Sequence, residues 1–207
     1  MSVANRRSVM VLYSDTICPI GHSVRIVLAE KDINVDVNFI TGDERPEELA
    51  ELNPYEDILT LIDRDLVLYD AQIIMEYLDE RFPHPPLLPV DPVSRANNRQ
   101  IRYRVMKDLY SQLADINSDN ETAVANARRN LRDHLTAIAP IFSQKPFFMS
   151  DEYSLVDCCM APLLWRLDMY GIKLPSSARD MFVYAERLFE RAAFKSSMSD
   201  VERELKK

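Results

Sequence analysis

The chain has 207 residues, 47% of them hydrophobic, so it can bury a sizeable core in one large domain or two modest ones. Its net charge of −8, from 25 basic and 33 acidic residues, opposes nonspecific attachment to nucleic-acid phosphates or anionic membranes. Three cysteines are too few for a disulfide framework, three glycines exclude a glycine-rich phosphate loop, and no apolar run near the N-terminus is long enough for a signal or membrane segment. We therefore expect a cytoplasmic protein that binds neither membranes nor nucleic acid directly.

The first part of the chain alternates between strand-like and helix-like periods. Val9 to Tyr13 is an apolar run typical of a buried strand, and Val24, Val27 and Leu28 then recur at helical spacing. The residues that follow predict, in order, a strand at 35–39, a helix at 46–52, a hairpin of strands at 58–62 and 66–69, and a helix at 71–82. The order βαβαββα is that of a thioredoxin-like domain.

A proline-rich stretch ends this pattern. Five prolines exclude a regular helix here and favour an extended connector: Pro83, Pro85, Pro86, Pro89 and Pro92.

Beyond the prolines the strand signals fade and helical patterns dominate. The segments 95–116 and 126–142 have helical character, and Ser154 with Asp157 three residues later predicts a capped start for a very apolar, central helix. We predict an α/β plus all-α protein with two domains, a thioredoxin-like domain at residues 1–86 and an all-helical domain at 87–207.

Two positions depart from the glutathione-transferase pattern that the surrounding residues resemble. Leu59 takes the place of a cis-proline that shapes the glutathione site in those enzymes. Because a non-proline cis peptide costs roughly 3 kcal/mol, we expect Leu59 to be trans and the backbone that would pair with glutathione to be displaced. Asp70–Ala71 replaces a Glu-Ser pair whose hydroxyl binds the γ-glutamyl carboxylate, and each lost hydrogen bond to a charged group costs roughly 1.5–3 kcal/mol. We therefore expect no efficient glutathione chemistry and no bound cofactor.

An enzymatic alternative depends on Cys18. Cys18 and Pro19 lie between the first strand and the first helix, where a helix N-terminus can activate a thiol. Cys-Pro followed by Arg25 resembles the active-site start of glutaredoxins and cysteine-type glutathione transferases, although the missing second cysteine rules out dithiol chemistry within the motif. Tyr13 and Ser14 lie where other transferase classes keep the hydroxyl that stabilises the glutathione thiolate. The enzymatic alternative is a glutathione-dependent thiol transferase or reductase with Cys18 as nucleophile. The opposing interpretation is that Cys18 is an inert, partly buried cysteine with a structural role.

The histidines and the other two cysteines do not indicate a metal site. His22, His84 and His134 fall in separate segments without a partner at metal-binding helix spacing, so no metal site is predicted. Cys158 and Cys159 lie in the most apolar helix, where free cysteine packs as a small hydrophobe.

Long stretches of the chain resemble the bacterial stringent starvation protein A family. They are ANRRSVM near the N-terminus, LVLYDAQIIMEYLDERFPHPPLLPV in the middle, and KPFFMSDEYSLVDCCMAPLLWRL in the second half. The resemblance implies a glutathione-transferase-like fold and a dimeric transcription regulator in starvation, stationary-phase and acid-stress responses. It implies association with the RNA polymerase holoenzyme, which contains a sigma factor, and no enzyme activity.

The same resemblance indicates a binding site. The family's Pro-His-Pro segment belongs to a surface pocket needed for activity, and it maps onto Pro83, His84 and Pro85. One departure lies close by, since Asp91–Pro92 replaces a Tyr-Pro pair. A homodimer is expected, and a heterodimer with a different subunit is left open. We predict a partner-binding surface formed by Phe82, Pro83, His84, Pro85 and Pro86.

Overall fold

The structure, a computed structural model, describes residues 9–42, 46–55 and 57–206. These residues form two compact units. The first contains the described residues up to Pro85 together with those from Ser196 onward, and the second extends from Pro86 to Lys195.

The first unit has the predicted order βαβαββα. Its sheet has the strand order β2-β1-β3-β4, in which β1 is parallel to β2 and antiparallel to β3. Its elements are β1 (Met10–Asp15), α1 (Pro19–Glu30), β2 (Val35–Ile40), α2 (Glu47–Leu52), β3 (Thr60–Asp63), β4 (Leu66–Leu68) and α3 (Ala71–Arg81).

The apolar residues that define the predicted strands and helices are buried in the structure. On β1 and β3, Leu12 and Leu61 are paired across the ladder and almost fully buried. Ile26 of α1 and Ile74 of α3 are fully buried on helices that pack against each other. The core of the first unit therefore lies between the sheet and the apolar stripes of α1 and α3.

The second unit is helical. Its elements are α4 (Pro92–Arg104), a π-helical segment (Val105–Tyr110), α5 (Gln112–Ile116), α6 (Glu121–Ile138), a 3-10 turn (Ala139–Ser143), α7 (Leu155–Trp165), a 3-10 turn (Ser176–Ala178), α8 (Arg179–Phe189) and the first residues of α9 (Ala192–Ser197). The last helix, α10 (Asp200–Glu204), belongs to the first unit.

Helix α7 is the buried centre of the second unit, as predicted. Its capping box is formed, since Ser154 Oγ accepts from the Val156 N–H and the Asp157 carboxylate accepts from the Ser154 N–H at 2.8 Å. The same carboxylate accepts from the Tyr184 hydroxyl at 2.7 Å and the Phe148 N–H at 2.9 Å. Burial raises the pKa of Asp157, and the hydrogen bonds from Tyr184, Phe148 and Ser154 oppose that rise.

The last residues of the chain correct the predicted extent of the helical domain. The predicted second domain includes residues 196–207, whereas in the structure the residues from Ser196 onward belong to the first unit. Glu202 is fully buried there, and both of its carboxylate oxygens accept from Arg25 Nη2 at 2.6 Å. Arg25 Nε also donates to the Ser197 carbonyl at 3.0 Å. Local sequence periodicity carries no information about pairing between residues so far apart, so the prediction missed it.

Across the ranges that the structure describes, no helix combines the length and the apolar character needed to span a bilayer.

Candidate protein-binding site

The predicted partner surface, residues 82–86, is called the proline-rich segment below. It starts where α3 ends, with the Phe82 N–H donating to the Leu78 carbonyl at 3.0 Å. Phe82 is half-buried, and the Arg81 guanidinium lies over its ring at 5.2 Å. The four residues that follow are all exposed: Pro83, His84, Pro85 and Pro86. The peptide between His84 and Pro85 is cis.

A buried lysine fastens this segment to the first unit. Lys31, which directly follows α1, has a fully buried side chain, and its Nζ lies 2.6 Å from Asp79 Oδ1 on α3. The same ammonium donates to the Pro85 carbonyl. The Lys31 side chain thus ties the end of α1 and the interior of α3 to the backbone immediately after His84. The proline-rich segment is therefore an anchored surface element rather than a loose linker.

The anchored segment offers a partner a particular chemistry. Proline has no backbone N–H, so the segment presents ring carbons and carbonyl oxygens rather than donors. The exposed His84 imidazole can donate and accept hydrogen bonds among these apolar rings. Aromatic and apolar groups with a few placed polar atoms are the usual centre of a protein interface.

A groove of about 330 Å³ borders the segment at Phe82 and enlarges the surface that a partner could contact. Its lining carries charges of both signs, with Asp32 and Asp63 opposed by Arg64 and Arg81. Sequence reasoning missed this groove because its residues come from separate parts of the chain, at the ends of strands and helices and in the turns between them.

Sequence reasoning also missed Lys31, although one signal could have found it. Lys31 follows Val24 by seven residues and Val27 by four, so it lies on the apolar face of α1. A lysine at such a position is buried only when a carboxylate or carbonyl receives its charge.

The two predicted departures from the glutathione-transferase pattern, at Leu59 and Ala71, are visible in the structure. The only cis peptide among the described residues is at His84–Pro85, so Leu59 is trans, as predicted. Ala71 is buried at the start of α3 and supplies no hydroxyl. The Asp70 carboxylate accepts from the N–H groups of Gln72 and Ile73, at 2.8 and 3.1 Å, so the amides at this helix start already have an anionic partner from the chain itself.

Cys18 is at the N-cap of α1 and is partly exposed. Asp15 Oδ1 accepts from the Ile17 N–H at 2.6 Å and from the Cys18 N–H at 2.8 Å. The Asp15 carboxylate thus holds the amides that precede the helix, whereas a side chain at the N-cap position accepts from the N–H groups two and three residues further on, at Ile20 and Gly21.

The two hydroxyls near Cys18 have structural partners. Ser14 is fully buried and accepts from Arg25 Nη1, so its hydroxyl does not reach the surface. Tyr13 is 8% exposed, and its hydroxyl lies 3.5 Å from Glu48 Oε2. Tyr13, Ser14 and Cys18 are thus close in sequence, but the structure does not assemble their side chains into one thiol site.

The other candidate ligands are dispersed. His22 is fully buried against Ser197 Oγ at 3.0 Å, whereas His134 is exposed and contacts the Asp108 carbonyl at 3.1 Å. Cys158 and Cys159 are buried in α7, as predicted. No group of three histidine, cysteine or acidic side chains that could hold a metal ion occurs among the residues described.

Comparison with known proteins gives a consistent assignment. Residues 12–86 match the model of the glutathione S-transferase N-terminal domain, and residues 121–192 match that of the C-terminal domain. The chain is 46% identical to the stringent starvation protein A homolog of Coxiella burnetii, with 97% of each chain covered. It is 48% identical to the homolog of Pasteurella multocida, covering 95% of this chain and 93% of that protein.

Among solved structures, a tau class glutathione S-transferase from mango, Mangifera indica, superimposes with a TM-score of 0.81. It is 24% identical and covers 95% of this chain and 96% of its own. At that identity the likeness concerns the fold, which is the predicted glutathione-transferase-like one.

Proposed function

The chain belongs to the stringent starvation protein A family, and we propose that it regulates transcription by contact with the RNA polymerase holoenzyme, without catalysis. On this proposal it acts in starvation, stationary-phase and acid-stress responses. The contact surface is the proline-rich segment, with His84 at its centre.

The observation that carries this proposal is the anchoring of an exposed Pro-His-Pro segment by a buried ion pair. An exposed linker would gain nothing from a buried lysine, since taking a charge out of water is costly. The Lys31–Asp79 pair holds the Pro85 carbonyl in place, and the neighbouring His84 side chain is exposed. A surface that is ordered before binding loses less conformational entropy when a partner docks.

The test is copurification of RNA polymerase holoenzyme from starved cells with an affinity-tagged form of this protein. We expect His84→Ala to reduce the recovered polymerase by about tenfold or more, as truncation at an interface centre does. The matched control is His134→Ala, which removes an exposed histidine from α6 in the second unit. Circular dichroism of both variants should match the parent spectrum. Equal recovery of polymerase with the two variants would remove the proline-rich segment from the proposal.

A second candidate function is thiol transfer with glutathione, and the partly exposed Cys18 at the start of α1 is the observation that favours it. Isothermal calorimetry with reduced glutathione separates the two candidates. We expect no measurable heat at millimolar ligand, because Asp70 already occupies the amides at the start of α3 and Ala71 supplies no hydroxyl there. Micromolar binding, together with loss of thiol-transfer activity in Cys18→Ser, would favour the enzyme.

The family resemblance also makes a homodimer part of the proposal. Multi-angle light scattering of the purified chain should give twice the monomer mass of 24.0 kDa. A monomer across the micromolar range, or a stable assembly only with a different subunit, would contradict it.

A further inference from the structure

Strand β2 is an open edge of the sheet. Within the described residues it pairs only with β1, and the order β2-β1-β3-β4 places it outermost. An edge strand directs about half of its backbone N–H and C=O groups away from the sheet. Proteins usually block such an edge with charged side chains, above all lysine, with proline or a bulge, or with a helix or loop that covers it. The six residues Val35–Ile40 contain neither proline nor lysine, and their register with β1 is continuous.

An apolar groove of about 610 Å³ lies beside this edge, within the range typical of binding sites. Alternate residues of β2 line it, namely Val35, Val37 and Phe39. Leu28 of α1 and the C-terminal residues 196–201 and 203, with Asp200 and Arg203 among them, also line it. Phe39 is 43% exposed, and the Arg25 guanidinium lies 5.1 Å from its ring centroid. The groove is called the edge groove below.

The opposite face of the same strand carries one carboxylate, that of Asp36, and the amide of Asn38. Asp36 is exposed and, with Glu48 and Asp65, lines a second cavity of about 550 Å³ in which Arg64 is the basic lining residue. An added strand would therefore place one set of alternate side chains beside Val35, Val37 and Phe39 and the other set beside Asp36 and Asn38.

We propose that β2 binds an extended peptide segment of a partner protein, which adds to the sheet as a further strand. Its backbone bonds to the open edge, its apolar side chains enter the edge groove, and lysine or arginine side chains alternate with them and face Asp36. This proposal does not rest on the proposed function, because it uses none of residues 82–86. Pairing of two copies through β2 is disfavoured, since it would bring Asp36 towards its counterpart on a chain of net charge −8.

The test uses a fluorescein-labelled peptide of alternating lysine and valine, about nine residues long, and fluorescence anisotropy. Two further peptides carry backbone N-methyl groups, one on every lysine and the other on every valine. Only one set of amides faces β2, so we expect one methylated peptide to bind at least about tenfold more weakly and the other to bind almost unchanged.

Variants of the chain locate the site. Phe39→Ala should weaken binding about tenfold, and the matched control Phe182→Ala, at a phenylalanine on α8 that is 45% exposed, should not. Asp36→Lys should reverse the charge preference, so that an alternating glutamate and valine peptide binds better than the lysine peptide. His84→Ala should bind like the parent, which separates this site from the proline-rich segment.

Equal binding of both methylated peptides would overturn the proposal, since it would show attachment by charge alone. So would the absence of saturation at millimolar peptide, or light scattering that shows self-association abolished by Asp36→Lys.

Discussion

The Lys31 anchor predicts a large loss of stability from a change that keeps side-chain shape. Lys31→Met retains the aliphatic stem and removes the ammonium that lies 2.6 Å from Asp79 Oδ1 and donates to the Pro85 carbonyl. The two side chains are 0% and 7% exposed, so Asp79 would keep a buried charge without its cation. Removing one partner of a buried pair costs about 3–5 kcal/mol, and we expect about 3 kcal/mol here.

Urea unfolding followed by far-ultraviolet circular dichroism measures this loss. The matched control is Lys145→Met, because Lys145 pairs with Asp151 at the surface, where the side chains are 45% and 71% exposed. Such a pair contributes about 0–1 kcal/mol. Adding Asp79→Leu to Lys31→Met should recover most of the loss. If Lys31→Met and Lys145→Met differ by less than about 0.5 kcal/mol, the anchor is not a buried ion pair and the argument for an ordered docking segment fails.

Three further changes test local features. Asp157→Asn should lower the free energy of unfolding by about 2–3 kcal/mol, measured by urea titration, because an amide cannot accept from all the donors that now meet the carboxylate. Hydrogen bonds from Ser94 lower the pKa of Asp91, so its stabilisation of α4 is present above the ordinary aspartate pKa of about 4 and is lost as pH falls through the lowered value. Asp91→Asn keeps the cap without titrating, and its thermal midpoint should vary less than the parent's in acid; an equal variation would assign the sensitivity elsewhere. Gly21→Ala should cost about 1–3 kcal/mol in urea unfolding, because its Cβ would lie 2.7 Å from Ser14 Oγ, and a second change of Ser14 to alanine should relieve much of that cost.

The sequence predicts those parts of the fold that depend on neighbouring residues. Strand and helix periods gave the order βαβαββα, and the pair Ser154 and Asp157 predicted the start of α7. The sequence predicts helical character for the segment 95–116, and the structure is helical there but contains a π-helical segment at Val105–Tyr110. The π-helical segment contains neither proline nor glycine to mark it, so the sequence pattern alone does not reveal it.

The candidate site was predictable only in part. Motif resemblance gave the proline-rich segment, whereas its anchor depends on Lys31 meeting Asp79, 48 residues away. The Cys-Pro motif likewise suggested a reactive thiol, and only the structure places the Asp15 carboxylate on the amides beside it. Charge pairing at a distance and local competition for N–H groups are set by the fold, and a single sequence does not display them.

The bidentate pairing of Glu202 with Arg25 determines how the chain can be divided. The α/β unit is discontinuous in sequence, and the helical unit is an insertion between its two parts. A fragment that stops at Pro85 would keep the Arg25 guanidinium in its interior and lack the carboxylate that neutralises it. The smallest piece able to fold as this unit must therefore include the final dozen residues, either joined by a short artificial link or supplied as a separate peptide.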